Sequence, residues 1–301
     1  MNAPRVSVVI PCYRHAGLLR RCLEGVAWDR QGDTFETIVV NIGADPVVAG
    51  LAAEFPGVRL VASAERLWPG AARNRGARAA QGELLLFLDA DCVPEPGWVR
   101  AATAALETGA RLVGGPVLDL LPNHPIAVSD NLLQFAEYPA DRPEGPVTKF
   151  PGCSLAIRRT DFEALGGFPE QLRMGEDTRF STAALARWPG GLHFARAMRA
   201  RHRGRTGLRD FITHQTWLGY ARGLLGSDLA PSQRRLAEHA VMAPAVALKR
   251  LSYILGCTLR WHPTRVPAAV ALTPLLAMGL LGYAVGLRRG LRHGVVPQEP
   301  W

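Results

Sequence analysis

Along the first 90 residues, short apolar runs alternate with stretches whose apolar positions recur at helical spacing. The runs are "RVSVVIP" (5–11), "FETIVV" (35–40), "GVRLVA" (57–62) and "ELLLFLD" (83–89). Between the first two, "AGLLRRCLEGV" (16–26) sets Leu18, Leu19, Cys22, Leu23 and Val26 on one helical face, and further helices are expected near 46–54 and 70–81. Strands apolar at successive positions, separated by helices, predict right-handed βαβ units and a mostly parallel sheet covered on both faces. The fold class expected is therefore α/β. In such sheets ligands sit beyond the carboxyl ends of the strands.

Past Trp98 the pattern predicts a helix over 98–107 and a strand over 111–118. A long polar loop follows over 119–150, with a short helix near 129–137. A strand over 151–159, a helix from Thr160, a second helix over 177–188 and a strand running into a basic loop over 191–205 come next. An amphipathic helix over 207–226 closes the regular alternation. The segment 266–287, "VPAAVALTPLLAMGLLGYAVGL", then runs 22 residues without a charge. That length suffices for a hydrocarbon core of ~30 Å. Arg260 and Arg265 precede it and Arg288, Arg289 and Arg292 follow it, whereas a single span prefers cations on one side. A re-entrant or in-plane hairpin fits better, and a buried soluble hairpin is the alternative. Lys249 and Arg250 within the apolar stretch 239–259 resemble the pattern of interfacial helices.

Charge sharpens that division. Residues 1–200 carry 21 Lys/Arg and 22 Asp/Glu, residues 201–301 carry 14 and 4, so the whole net charge of +9 lies in the last third. A basic, apolar third suits an anionic membrane surface better than nucleic acid, because "RAMRARHRGR" (196–205) has no interleaved aromatics. The remaining composition (301 residues, 48% hydrophobic) fits one large α/β domain with an appendage. Cysteines at 12, 22, 92, 153 and 257 form no CxxC and argue against disulfides or structural zinc. The first residues lack a leader pattern, so the N-terminal part is expected in the cytosol.

The apolar run 84–88 ends on Asp89 and Asp91, in "LLLFLDADCVPEPGW". Two carboxylates brought together at a strand end raise each other's pKa. Mg²⁺ or Mn²⁺ removes that cost, since either takes one or two carboxylates together with substrate phosphates. A solvated acidic turn is the plainer alternative. A DxDx[TV] phosphohydrolase, with Asp89 as nucleophile, is the chemical one. A non-catalytic basic protein binding membrane or nucleic acid is the third.

Four segments occur in a telling order: "VSVVIPCYRHAGLLRRCLEGV", "GAARNRGARAAQGELLLFLDADCVPEPGW", "GCSLAIRRTDFEALGGFPEQLRMGEDTRF" and "RHRGR". Together, over roughly residues 5–225, they resemble family 2 glycosyltransferases of the GT-A fold. The resemblance implies a nucleotide-sugar pocket at Pro11, Cys12 and Tyr13, with Arg73, Asn74, Asp89 and Ala90 near nucleotide or donor sugar. It implies a divalent cation on Asp91, with Asp89 and His202 beside it, and a catalytic acid pair, Glu176 and Asp177, in which Asp177 is the general base. Relatives commonly carry "VDDGS" after the second strand; here "VVNIGADP" puts Asn41 and Ile42 at those positions, which leaves recognition of the base open, with Asp45 the candidate acid further along the loop. The QxxRW motif of processive synthases is missing, which points to transfer of a single sugar.

The expectation is thus a GT-A catalytic domain over 1–226, with a nucleotide-sugar half (1–118) and an acceptor half (119–226). A C-terminal hydrophobic helical appendage over 227–301 follows. The enzyme expected is inverting and metal-dependent, using a UDP-sugar and a glycan or lipid-linked acceptor. It would sit at the cytoplasmic face of the cell membrane, held through residues 239–292, and would bind no nucleic acid.

Overall fold

The computed structural model describes residues 4–29, 35–225 and 242–293. The chain forms two compact units, 1–120 with 143–202, and 121–142 with 203–301. The boundary expected at 226/227 lies outside the described residues, and the stretch expected as one acceptor half is shared between the units.

The first unit opens with β1 (Val6–Cys12), α1 (Ala16–Trp28), β2 (Phe35–Ile42), α2 (Pro46–Ala53), β3 (Val58–Ser63), α3 (Pro69–Ala79) and β4 (Leu84–Leu88). It continues with β5 (Cys92–Pro94), α4 (Trp98–Glu107), β6 (Leu112–Gly114) and β7 (Val117–Asp119). The chain then enters the second unit for α5 (Pro125–Phe135). It returns with β8 (Gly145–Pro146), β9 (Ser154–Arg158), α6 (Arg159–Ala164), α7 (Glu176–Arg187), β10 (Leu192–Phe194) and β11 (Ala200–His202).

An eight-stranded sheet runs in the order β3-β2-β1-β4-β9-β6-β10-β8. β1, β2, β3 and β4 are parallel, as their apolar runs require, while β9 lies antiparallel between β4 and β6. Every residue of β4 is buried, so the strand has no solvent face and Asp89 is its first polar position. The strand expected over 111–118 is broken in two. Pro116 supplies no N–H for a ladder, and at Gly115 a Cβ would stand 2.1 Å from the Met198 carbonyl, so the chain leaves the large sheet there. β7 then joins a second sheet, β5-β11-β7, in which His202 pairs with both Cys92 and Asp119.

Helix α3 carries the arginine of the candidate site and lies against β1 and β2 through Gly76. A Cβ there would stand 2.3 Å from Val9 Cγ1 and 3.0 Å from Val40 Cγ2, both fully buried side chains. Gly76→Ala should therefore lower stability by about 1–3 kcal/mol, the usual cost of overpacking. Urea denaturation measures it; an unchanged midpoint would show that α3 can lift without cost.

The second unit is helical: α5, α8 (Leu208–Leu224), α9 (Ala243–Trp261), a 3₁₀ turn (Pro263–Arg265), α10 (Val266–Ala271) and α11 (Thr273–His293). Leu133, Phe211, Ile254, Leu276 and Leu280 form its core. Helices α8 and α11 touch backbone to backbone: a Cβ on Gly286 would stand 1.9 Å from the Thr216 carbonyl, and one on Gly219 2.0 Å from that of Tyr283. The buried Asp130 accepts from Gln215 Nε2 at 2.8 Å and from the Arg205 backbone N–H at 3.0 Å, with His214 Nδ1 at 3.2 Å. Burial alone would raise its pKa; His214, Arg205 and Gln215 outweigh that and hold it below the usual carboxylate range. The uncharged stretch 266–287 is not one helix. It breaks between α10 and α11, where the pair bends by 77°, and each new helix has a proline in its first turn, at Pro267 and Pro274. No single described helix is long and apolar enough to cross a membrane.

Candidate active site

The site is organised around a buried cation. Arg73, on the first turns of α3, is 3% exposed. Its Nη2 donates to Asp89 Oδ1 and its Nη1 to Glu176 Oε1, both at 2.6 Å. The planar guanidinium fork thus joins the acid at the end of β4 to the acid at the start of α7, 103 residues beyond Arg73 itself. Gly152 lets the fork lie flat, since a Cβ there would stand 3.0 Å from Arg73 Cζ. Below it, Phe168 packs against Phe87, Phe162 and Phe180 in an aromatic cluster, with the Arg73 charge 5.5 Å above its ring centroid.

Burial penalises each charge in this bridge, and the pairing decides what survives. For Arg73, burial acts against the cation, but Asp89 and Glu176 outweigh it and its pKa is raised. Asp89 is raised by burial and by the neighbouring Asp91 carboxylate, against the pull of Arg73. Glu176 is pushed up to about 7 by burial and by Asp177, again against Arg73. A carboxyl titrating near neutrality beside a fixed cation is a feature of functional sites.

Glu176 and Asp177 divide their tasks. Neither caps α7: its N-cap is Gly175, at φ +85°, and both acids fall in the first turn, where the helix dipole favours negative charge. Glu176 is buried on Arg73. Asp177 is half-buried, and its Oδ2 accepts from the Gly152 N–H at 2.9 Å while Oδ1 accepts from the Thr178 N–H at 2.6 Å. Two backbone donors fix the orientation of this carboxylate.

The second sheet brings His202 to the acidic pair. Cys92 and His202 are in register, which sets His202 Nε2 3.5 Å from Asp91 Oδ2, with His202 buried and the Asp91 side chain 27% exposed. Asp89 is turned to Arg73 instead, and among the described residues no three His, Cys, Asp or Glu side chains cluster tightly enough to enclose a metal ion. One half-exposed carboxylate with a buried imidazole behind it nevertheless suits a hard cation that takes its remaining ligands from phosphate and water.

The other expected residues lie along the carboxyl edge of β1 and β2. Cys12 is buried, which pushes its thiol up to about 11. Pro11 and Tyr13 are half-buried, and Ala90 is buried between the two aspartates. Asn41 is engaged within its own loop: its amide donates to the Asp45 carbonyl at 2.9 Å and accepts from the Asp45 N–H at 3.0 Å. Asp45 N-caps α2 through the Val47 N–H at 2.8 Å. Asn74 is likewise engaged, donating to the Phe168 carbonyl and to Glu170 and accepting from the Phe168 N–H. That use holds the loop leading to Glu176. The sequence reading passed over Arg66, Trp68 and Arg173. Arg66 lies 4.8 Å from the Tyr13 ring centroid and 5.4 Å from that of Trp68, and Arg173 lies 5.8 Å from Trp68. Burial and the Arg66 charge lower the Arg173 pKa to about 10. The only signal in the sequence was their nearness to the two motifs.

Residues 7–166, more than half of the chain, match the family described as Glycosyl transferase family 2. The chain belongs to this family. Among relatives, glycosyltransferase AglE of Haloferax volcanii is 29% identical over 191 residues, 60% of this chain and 61% of AglE. The pre-mycofactocin glycosyltransferase of Mycobacterium tuberculosis is 28% identical over 226 residues, 71% of this chain and 46% of that protein. The chain thus spans only about half to three-fifths of the length of these relatives. Among solved structures, the Pyrobaculum calidifontis mannosyltransferase PcManGT, in complex with GDP-Man and Mn²⁺, superposes with a TM-score of 0.59 at 21% identity, covering 95% of this chain and 88% of that one. That likeness is one of fold, and the GT-A fold is the one expected from the sequence. Membership of glycosyl transferase family 2 sets aside the phosphohydrolase alternative.

Proposed function

We propose that this protein is an inverting, metal-dependent glycosyltransferase. It moves one sugar from a nucleoside-diphosphate sugar to a hydroxyl of a glycan or lipid-linked acceptor. The observation that carries the reading is the Arg73 bridge: one buried guanidinium holds the acid of the donor-side DxD and the acid beside the acceptor-side base in a single register. The PcManGT complex, with its nucleotide sugar and Mn²⁺, supports both the donor class and the cation. A UDP-sugar remains the donor proposed, with Asp45, in the loop after β2, as the acid assigned to the base.

In this reading Asp91 and His202 hold the cation, Mg²⁺ or Mn²⁺, which when bound supplies charge neutralisation to the departing diphosphate. Arg73 keeps Asp89 oriented toward the donor. Asp177 takes the proton of the acceptor hydroxyl as that oxygen forms its bond to the anomeric carbon and the bond to the nucleoside diphosphate breaks. With one base and no second carboxylate placed as nucleophile, the single displacement inverts configuration. The protein is proposed to work at the cytoplasmic face of the cell membrane, held through residues 239–292.

The test is a panel of nucleotide-sugars in thermal unfolding with and without Mn²⁺. The true donor at 100 times its Kd stabilises the native state by about 2.7 kcal/mol. The Tm should rise with donor and Mn²⁺ together, and Asp91→Ala should abolish the Mn²⁺-dependent part. A panel without any shift, or a shift indifferent to Asp91, would overturn the proposal.

A further inference from the structure

Of the ten large apolar side chains exposed among the described residues, seven lie between Leu248 and Val285. Three of them share one face of α11: Met278, Leu281 and Val285, exposed by 39%, 45% and 42% and spaced i, i+3, i+7. The same face continues as Arg289 and Arg292, both exposed. The opposite face, with Leu276, Leu280, Tyr283 and Leu287, is buried against the rest of its own unit. Helix α11 therefore shows solvent a stripe that is apolar for its first turns and cationic for its last.

The surroundings indicate what covers the stripe. Residues 242–293 contain seven Lys/Arg and no Asp or Glu. Arg250 is committed internally, donating to the Leu133 carbonyl at 3.0 Å and lying 4.1 Å from the Tyr283 ring centroid. Lys249, Arg260, Arg289 and Arg292 are exposed. Apolar side chains flanked by cations alone suit a surface that offers hydrocarbon beneath anionic headgroups. The apolar part of the stripe, Pro274 to Val285, rises only ~16 Å at 1.5 Å per residue, about half of a hydrocarbon core. One face of the helix is also occupied by protein, and the 77° bend at its start denies it a straight continuation.

We infer that α11 is an in-plane membrane-docking surface: Met278, Leu281 and Val285 enter the headgroup–acyl boundary of an anionic bilayer, and Arg289 and Arg292 engage lipid phosphates. This deepens the membrane association proposed above and depends on no catalytic assignment. Docking of this kind holds the protein on one leaflet, where a lipid-linked acceptor presents its hydroxyl.

The full chain is tested by co-sedimentation with vesicles of phosphatidylcholine alone and of phosphatidylcholine with phosphatidylglycerol. Binding should be at least about 10-fold tighter to the anionic vesicles and should weaken with salt. The triple variant M278S/L281S/V285S and the pair R289Q/R292Q should each lose about 10-fold or more, with the donor-induced Tm rise intact. A chain carrying Leu281→Trp should show fluorescence quenching by brominated lipid, which tests insertion without relying on a loss. Equal binding to both vesicle types, retention by both variants, or an unquenched Trp overturns the inference. So does resistance to alkaline carbonate extraction, which marks a span. A dimer that the triple variant converts to monomer, with no vesicle binding by the parent chain, assigns the face to a second copy and also overturns it. Failure here with the donor shift preserved leaves the glycosyltransferase reading standing. Loss of the donor shift with docking preserved does the reverse.

Discussion

Asp177→Asn is expected to lower kcat by about 10²–10⁴-fold, the usual contribution of a positioned general base. Donor binding should be nearly unchanged. The variant keeps side-chain volume and one acceptor oxygen, so α7 and the 150–152 segment stay in place. It removes the only half-exposed carboxylate of the acid pair, because Glu176 is buried on Arg73. The amide nitrogen must meet either the Gly152 or the Thr178 N–H, so a stability loss of about 1 kcal/mol accompanies the change. Measuring the donor-induced Tm rise separates the two effects. A structural role alone would lower Tm and leave turnover per folded molecule intact. A base role leaves the donor shift intact and removes turnover. Wild-type turnover in this variant would falsify the assignment.

The parts of this fold that sequence patterning exposes are those buried on both faces. β4 reads as an unbroken apolar run because every position in it is buried, β1 and β2 read as largely apolar because all but one position in each is buried, and α4 was legible at both ends because Gly97 precedes it and its apolar spacing is regular. The second sheet was invisible. Its strands are three residues long, and the pairing that matters, Cys92 with His202, joins segments more than a hundred residues apart. Without that ladder His202 looked like one more side chain in a basic loop, whereas it is buried beside Asp91.

The candidate site was legible as motifs and not as a network. The resemblance placed Arg73 near the donor, but two ion pairs at 2.6 Å from one guanidinium become visible only once α3 is packed on the sheet at Gly76 and Gly152 lies against the guanidinium. Nor could patterning show that Gly152 offers its N–H to Asp177, since a backbone donor leaves no trace in residue type. Asn41 and Asn74 stood where ligand contacts were expected, and each spends its amide holding a loop. In the second unit, Pro267 and Pro274 were visible, but neither the 77° bend nor the backbone-to-backbone contact of α11 with α8 at Gly219 and Gly286 could be read from residue type alone.

Arg73→Met is expected to lower stability by about 3–5 kcal/mol at pH 8, the cost of stripping the partner from a buried ion pair. Against a typical total of about 5–15 kcal/mol this is a large fraction. The loss should depend on pH in a direction the site dictates. Glu176 is already pushed up to about 7 with Arg73 present, and without the cation only a backbone hydrogen bond still opposes burial and Asp177, so its folded pKa climbs further. A folded pKa above the ordinary value of 4.5 means that stability is fully present below about 4.5 and is lost as pH rises through the folded pKa. The gap between variant and parent should therefore narrow as pH falls from 8 to 5.5, by urea denaturation at each pH. A gap constant with pH would mean that Arg73 acts through its shape alone. Arg73→Lys separates charge from geometry: an ammonium neutralises one acid but lacks the planar fork that reaches both. It should recover part of the stability while transfer stays impaired, because Asp89 and Glu176 would no longer be held in one register.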